Sequence, residues 1–332
     1  MSYELERMTA VHAVLKACNL CQSVQQALVS EDTAAKQDRS PVTVADFGAQ
    51  AVVIHLLKAS FPNDPIVAEE DASELAKAEN AGLKRRVLEH VGAILPGLEE
   101  ARVMDAIGAG GHAGGKSNRF WTLDPIDGTK GFLRREQYAA ALALVVDGEV
   151  KLGVLGCPNL PPFGKGRERG RLLIAVRGEG AFERGFETDP TEWKIGVDRL
   201  SDPAQAVFCE SVEAAHSSHS ASAQIAARLK VSAPAVRMDS QCKYAVVARG
   251  EASIYLRLPS KKPTPTDRYI ERIWDHAAGS LIVEEAGGKV TDIHGKALDY
   301  SLGRGLENNT GVIVTNGLIH EQVLRAVREV LV

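Results

Sequence analysis

Three groups of acidic residues in this chain could do chemistry together. In Trp121-Thr-Leu-Asp124-Pro-Ile-Asp127-Gly-Thr129 an apolar strand ends in two carboxylates separated only by Pro125 and Ile126. Two carboxylates about 4 Å apart at an effective dielectric near 20 repel by about 4 kcal/mol, and a bound divalent cation reverses that cost. Further acids stand in Ala68-Glu69-Glu70-Asp71, just after an apparent strand over 65–68, and a single one in Trp274-Asp275-His276. The candidate donors are oxygens, which favours Mg²⁺ over zinc. Each acid has a plainer role available: Asp-Pro-x-Asp-Gly can be only a turn, Asp275 can cap a helix, and acid runs usually face solvent. Their joint occurrence is what points to a cation site.

The elements that must position these acids follow from periodicity. Residues 2–29 have the spacing of one amphipathic helix, in which Cys18 and Cys21 continue a stripe through Val11 and Val14 and so read as buried thiols rather than a CxxC site. A second helix is expected after Ser40-Pro41, with Thr43 and Asp46 at capping-box spacing. A charged helical stretch over 74–90 follows. The glycines at 108, 110, 111, 114 and 115 then suggest a flexible surface loop, without the GK[ST] ending of a phosphate loop. From Phe120 the pattern is an antiparallel meander: 120–123, 138–146, 150–156 with a hairpin at Asp147-Gly148, then 172–176 and a strand from Ala181. Helices are expected over 222–229, from Lys243, over 275–285 and at the C-terminus, with strands over 253–258 and at Lys289 and Gly311. This order describes an α+β half, residues 1–160, carrying most of the acids, followed by an α/β half, residues 161–332.

Composition bounds the function. The 332 residues are 45% hydrophobic and 25% charged, enough to bury one large or two ordinary cores. A formal net charge of -4 argues against a protein that neutralises a nucleic-acid backbone. Apolar runs such as Ala139–Val146 fall far short of the roughly 20 residues a membrane helix needs, and the first residues lack a signal-like pattern. Five thinly spread cysteines do not form a disulfide framework, so a reducing, cytoplasmic compartment is expected.

The acidic segments together resemble the lithium-sensitive, magnesium-dependent phosphatases of the inositol monophosphatase superfamily, whose hallmarks look like Asp124-Pro-Ile-Asp127-Gly-Thr129 and Trp274-Asp275-His276-Ala-Ala-Gly279. Within that superfamily the chain is most similar to the 3'(2'),5'-bisphosphate nucleotidases. That likeness runs through Pro41-Val-Thr43-Val-Ala-Asp46, Ala68-Glu69-Glu70, Lys130-Gly-Phe-Leu-Arg134, Gln137-Tyr138, Cys157-Pro-Asn159, His216-Ser-Ser-His219, Asp239-Ser240-Gln-Cys-Lys243-Tyr244 and Tyr255-Leu-Arg257.

The resemblance implies a layered α-β-α-β-α sandwich and two or three Mg²⁺ ions held by Glu69, Asp124, the backbone carbonyl of Ile126, Asp127 and Asp275, with Asp124 bridging two of them. It implies that Asp46 and Thr129 pair to orient and deprotonate the attacking water, with Glu69 beside them in the catalytic group and no covalent enzyme intermediate. Substrate contacts are implied for Asp127, Thr129 and Asp275, for Ser240, Lys243 and Arg257 around the phosphate that is not cleaved, and for His219 beside the nucleoside. The implied reaction removes the 3'-phosphate of adenosine 3',5'-bisphosphate (PAP), with 3'-phosphoadenylyl sulfate (PAPS) as a second substrate and Li⁺ as an inhibitor, in a monomer. One ammonium, one guanidinium and a hydroxyl around the spare phosphate would fix which phosphate lies over the metals. An inositol phosphate phosphatase would share the acids but not that pocket. A haloacid-dehalogenase mechanism is disfavoured, because its Asp-x-Asp spacing differs from Asp124 and Asp127; a non-catalytic nucleotide sensor would be indicated only by missing acids. The chain departs from the family pattern at Arg135, where glycine is usual, and over 260–271, which looks longer than usual.

Overall fold

The computed structural model describes residues 2–30, 40–115, 119–163, 169–186, 191–212, 219–259 and 269–331. Two long helices open the chain, α1 (Glu4–Ser30) and α2 (Ser40–Ser60), followed by β1 (Ile66–Ala68), α3 (Ala72–Leu75), α4 (Ala81–Ile94) and α5 (Glu100–Gly108). The central stretch is β2 (Arg119–Asp127), α6 (Thr129–Arg134), β3 (Ala139–Val146), β4 (Glu149–Cys157), β5 (Arg171–Val176), β6 (Gly180–Gly185) and β7 (Trp193–Lys194). The last part comprises β8 (Phe208–Glu210), α7 (His219–Arg228), β9 (Val236–Arg237), α8 (Cys242–Ala248), β10 (Ile254–Arg257), α9 (Ala277–Glu285), β11 (Lys289–Thr291), β12 (Val312–Thr315) and α10 (His320–Leu331).

These elements stack as five layers. A seven-stranded sheet runs in chain order from β1 to β7, antiparallel except where β1 lies parallel to β2, and a five-stranded mixed sheet has the order β11-β12-β10-β8-β9. The apolar stripe of α1 (Ala10, Ala13, Val14, Ala17, Cys18, Cys21, Val24) packs with α2 on one face of the first sheet, against Trp121, Leu123, Leu142 and Leu144. The other face, built of Phe120 and the small residues Ala139, Ala141 and Ala143, meets Ala277, Ala278 and Leu281 of α9 and Tyr244 and Ala245 of α8. Helices α7 and α10 cover the far side of the second sheet through Ile225, Val323 and Val327. The expected α-β-α-β-α sandwich is therefore what the chain forms. Both faces are buried at β3, β4 and β5, which is why these strands are near-continuous apolar runs rather than alternating ones.

Small residues set how closely the central layer approaches. A Cβ on Gly153 of β4 would lie 2.8 Å from the carbonyl oxygen of Ala278, and one on Gly279 would lie 2.5 Å from the Tyr244 ring. The five cysteines are free thiols, all buried, and Cys18 and Cys21 lie in the α1 stripe as expected. No helix among the described residues is long and apolar enough to cross a membrane.

Four expectations are corrected. Helix α2 starts at Ser40, three residues before Thr43, with Pro41 in the first turn where its missing N–H costs nothing; Asp46 is thus inside the helix and not spent on a capping box. Strand β2 does not stop at Leu123 but runs on to Asp127, with a bulge: Asp124 faces Ala141 while Asp127 faces Ala139, leaving an extra residue beside Pro125, which has no N–H for the ladder. The glycine-rich segment is not a flexible loop. It forms an extra edge beside β1, with a bridge from Gly111 to Val67 and hydrogen bonds from Ala68 N to Gly110 O (2.8 Å) and from His112 N to Ile66 O (3.1 Å). Finally, the boundary drawn at residue 160 falls inside the first sheet, which β5, β6 and β7 continue to Lys194.

Candidate active site

Parallel pairing brings the first acids together. Ala68 of β1 is in register with Leu123 of β2, so Glu69 and Asp124 leave the two strands as neighbours. The bulge then turns Ile126 and Asp127 toward the same place, and Gly128 (φ 91°) starts α6, which begins at Thr129. A Cβ on Gly128 would meet the Cβ of Ser240 at 2.8 Å, so only glycine lets this turn sit against the second half. Asp275 closes a 3₁₀ turn (Ile273–Asp275), while the cap position of α9 is His276; its carboxylate is not used as a helix cap.

Glu69, Asp124, Ile126, Asp127, Thr129 and Asp275 line one cleft of about 370 Å³, together with Ser240, Lys243 and Arg257. Asp46 lies behind it on α2, 7% exposed, and no hydrogen bond joins it to Thr129 among the described residues. His219 opens α7; its side chain and residues 213–218, including His216, lie outside the described residues, as does 260–268 of the longer connection.

The electrostatics of the cleft suit a bound cation. Burial, reinforced by the charges of Glu69, Asp127, Asp275 and Asp46, pushes the Asp124 carboxyl well above the usual range. Burial with Glu70 and Asp127 lifts Glu69 to about 7, and burial with Asp127 lifts Asp275 to about 7. Asp46 is likewise raised, by burial and then by Glu70 and Glu69. Asp124 Oδ1 is buried with no hydrogen-bond partner. A buried carboxylate oxygen without a donor is costly, and a divalent cation among hard oxygen ligands removes that cost. The residues present fit such an ion.

Positively charged groups meet these acids in the same cleft. Lys243 is 4% exposed, donates to Met238 O at 3.4 Å and lies 5.3 Å from the centre of the Tyr255 ring; burial lowers its pKa. Arg257 pairs with Glu271 (Nε to Oε2, 2.7 Å) and reaches Asp275 at 3.8 Å. Ser240 holds φ 64°, and its hydroxyl oxygen accepts from Cys242 N at 3.1 Å.

Sequence reasoning missed the residues that hold this frame. Gln241 N donates to Asp127 Oδ2 at 2.5 Å, while its side chain bridges Trp274 O (2.9 Å) and Gly279 N (3.1 Å), so one residue braces both acidic segments. On α2, Gln50 makes a two-way bond with the backbone of Glu70, at 2.8 and 3.0 Å. A chain runs from Tyr244 Oη through His276 (2.7 Å) to Glu271 (3.1 Å). Burial alone would raise Glu271, but His276 and Arg257 outweigh it and hold the carboxyl at about 2. Glu271, Asp275 and His276 also cluster within 4.8 Å, but there Glu271 is already partnered by Arg257 and His276. The only signal for Gln241, Tyr244 and His276 was their place inside the motifs around Lys243 and Trp274; Gln50 and Glu271 had none.

The fold and the cleft define a phosphatase-type sandwich, and the chain belongs to the inositol monophosphatase family, whose model matches residues 3–331. Within it the chain is similar along its whole length to proteins named 3'(2'),5'-bisphosphate nucleotidase. It is 47% identical over 358 residues to the one from Emericella nidulans, covering 100% of this chain and 99% of that one. Identity is 43% with the relative from Schizosaccharomyces pombe (98% and 96% covered) and 42% with that from Dictyostelium discoideum (97% and 96%). Among solved structures, an inositol monophosphatase from Anabaena (Nostoc) sp. PCC 7120 shares the fold with TM-score 0.61 at 21% identity, covering 99% of this chain and 98% of that one. CysQ from Bacteroides thetaiotaomicron does so with TM-score 0.61 at 21%, covering 94% and 97%.

Proposed function

We propose that the protein is a Mg²⁺-dependent phosphatase that removes the 3'-phosphate of adenosine 3',5'-bisphosphate, giving AMP and phosphate, with 3'-phosphoadenylyl sulfate as a second substrate and Li⁺ as an inhibitor. The observation that carries this reading is one cleft in which an acid cluster with an unsatisfied buried oxygen, at Asp124, shares the space with two cations, Lys243 and Arg257. Substrates with two anionic groups suit such a cleft, one group over the acids and their metal, the other on the cations. The names of the relatives support a bisphosphorylated nucleoside.

Glu69, Asp124, Asp127, Asp275 and the carbonyl of Ile126 would hold Mg²⁺. Bound there, the metal supplies Lewis acidity, making water reactive at neutral pH and neutralising charge on the departing oxygen. Thr129 is assigned to orient the water and Asp46, on the helix behind the cleft, to take its proton. Lys243, Arg257 and Ser240 hold the phosphate that stays, and His219 is assigned to the nucleoside side.

The test is a pair of variants. Asp124→Asn is expected to lose at least about a hundredfold in kcat, since several kcal/mol of charge stabilisation go with the metal and each 1.36 kcal/mol is tenfold. Lys243→Met is expected to raise KM for the nucleotide by roughly tenfold or more, the worth of a charged hydrogen bond, without lowering the melting temperature, because burial already opposes its charge. Full activity in Asp124→Asn would refute the metal site, and an unchanged KM in Lys243→Met would refute the phosphate pocket.

A further inference from the structure

We propose that Arg304 is a positioning residue that clamps the strand leading to Glu69 against the turn leading to Asp275, and so sets the spacing of the acids contributed by the two halves of the chain. The inference rests on the reading of those acids as cation ligands.

The backbone of the Arg304 segment pairs with the approach to Asp275. Ile273 N donates to Arg304 O at 3.2 Å, Leu306 N donates to Glu271 O at 2.8 Å, and Arg272 and Gly305 form an antiparallel bridge. The side chain points the other way along the site. Arg304 Nη2 donates to Ala68 O at 2.5 Å, on the residue before Glu69, and Nη1 donates to His112 O at 3.1 Å in the glycine-rich edge. The guanidinium lies 4.7 Å from the centre of the Trp274 ring, on the residue before Asp275. The glycine-rich edge is built for this approach, because a Cβ on Gly114 would come within 3.0 Å of the Gly303 backbone. One planar fork thus touches the residue before each of two acids about two hundred positions apart in sequence. Only a guanidinium can span two carbonyls and stack on a ring at once.

A positive charge near Glu69 by itself opposes cation binding, so an alanine variant would remove two opposed effects together. Arg304→Lys is therefore the decisive variant: it keeps the charge and loses the fork. The melting temperature of the intact chain, Arg304→Lys and Asp124→Asn is followed against Mg²⁺ alone, with no nucleotide, since a cation bound only to the folded state raises stability in proportion to its affinity. Arg304→Lys is expected to need about tenfold more Mg²⁺ for half the rise, the usual loss when a group that orients metal ligands is changed. Its KM for adenosine 3',5'-bisphosphate at saturating Mg²⁺ is expected to stay within about twofold, because the residue does not touch the phosphate pocket. A Mg²⁺ midpoint equal to that of the intact chain overturns the proposal even if metal-free stability falls, since a merely structural arginine would lower stability without changing cation affinity. If Asp124→Asn keeps the intact chain's response, the reading of the acid cluster falls instead. Should Arg304→Lys not fold, Arg304→Ala replaces it: a weaker Mg²⁺ response supports the clamp, and an equal or stronger one refutes it.

Discussion

Burial holds the Asp124, Glu69 and Asp275 carboxyls above the range in which most carboxyls ionise. Glu69 and Asp275 are lifted to about 7 from ordinary values near 4, mainly by burial, then by Glu70 and Asp127 at Glu69 and by Asp127 at Asp275. Without a cation, the folded chain holds protons on these groups between about pH 4 and 7 that the unfolded chain has released. The contribution of the cluster to stability is therefore greatest below the unfolded pKa values and is lost as pH rises through 7. Protons and Mg²⁺ compete for the same oxygens, so cation affinity runs the opposite way. The rise in melting temperature produced by a fixed Mg²⁺ concentration is expected to grow between pH 6 and 8, and much less so in Glu69→Gln. A rise independent of pH would contradict the assignment. The acids themselves were legible in the sequence, because several groups of them occur together although each alone had a plainer role available. Gln241, Gln50 and Glu271 were not, since a glutamine or glutamate shows nothing of its partner until the chain folds; Gln241 and Asp127 are 114 positions apart.

At the scale of elements, the site depends on irregularities. The bulge in β2 converts a strand end into two converging carboxylates, and a run read as stopping at Leu123 concealed it because Pro125 normally ends a strand. The glycine-rich segment suggested freedom, whereas Gly110 is required by close approach: a Cβ there would lie 2.7 Å from that of Ala68. Helix α6 ends at Arg135, which adopts φ 60° and ψ 28° with its N–H turned back to Gly131 O and Phe132 O. The glycine-type turn is thus kept by a residue that pays for it in strain. Replacing Arg135 by Gly is expected to stabilise the protein by about 0.5–1 kcal/mol, as the left-handed conformation costs an L-residue roughly 1–2 kcal/mol and glycine returns part of that as entropy. Chemical denaturation measures this; a loss of stability would show that the Arg135 side chain makes a compensating interaction.

For the whole molecule, two halves meet at the cleft. The seven-stranded sheet supplies Glu69, Asp124 and Asp127, and the central helical layer with the second sheet supplies Asp275, Lys243 and Arg257. The layered sandwich could be expected from the motifs and is visible afterwards in the apolar runs of β3 and β4. The division at residue 160 could not be placed from pattern alone, because nothing in the strands after Pro162 says which sheet they join. The central claim is that this arrangement selects a substrate with one phosphate over the acids and another on Lys243 and Arg257. It is tested most directly by phosphate release from adenosine 3',5'-bisphosphate and inositol 1,4-bisphosphate in parallel, each with Mg²⁺, without it, and with Mg²⁺ plus Li⁺. Fast turnover of the nucleotide that requires Mg²⁺ and is inhibited by Li⁺, with slower turnover of the inositol compound, is the predicted result. Preference for the inositol compound would contradict the assignment of Lys243 and Arg257, and turnover without Mg²⁺ would contradict the acid cluster as a cation site.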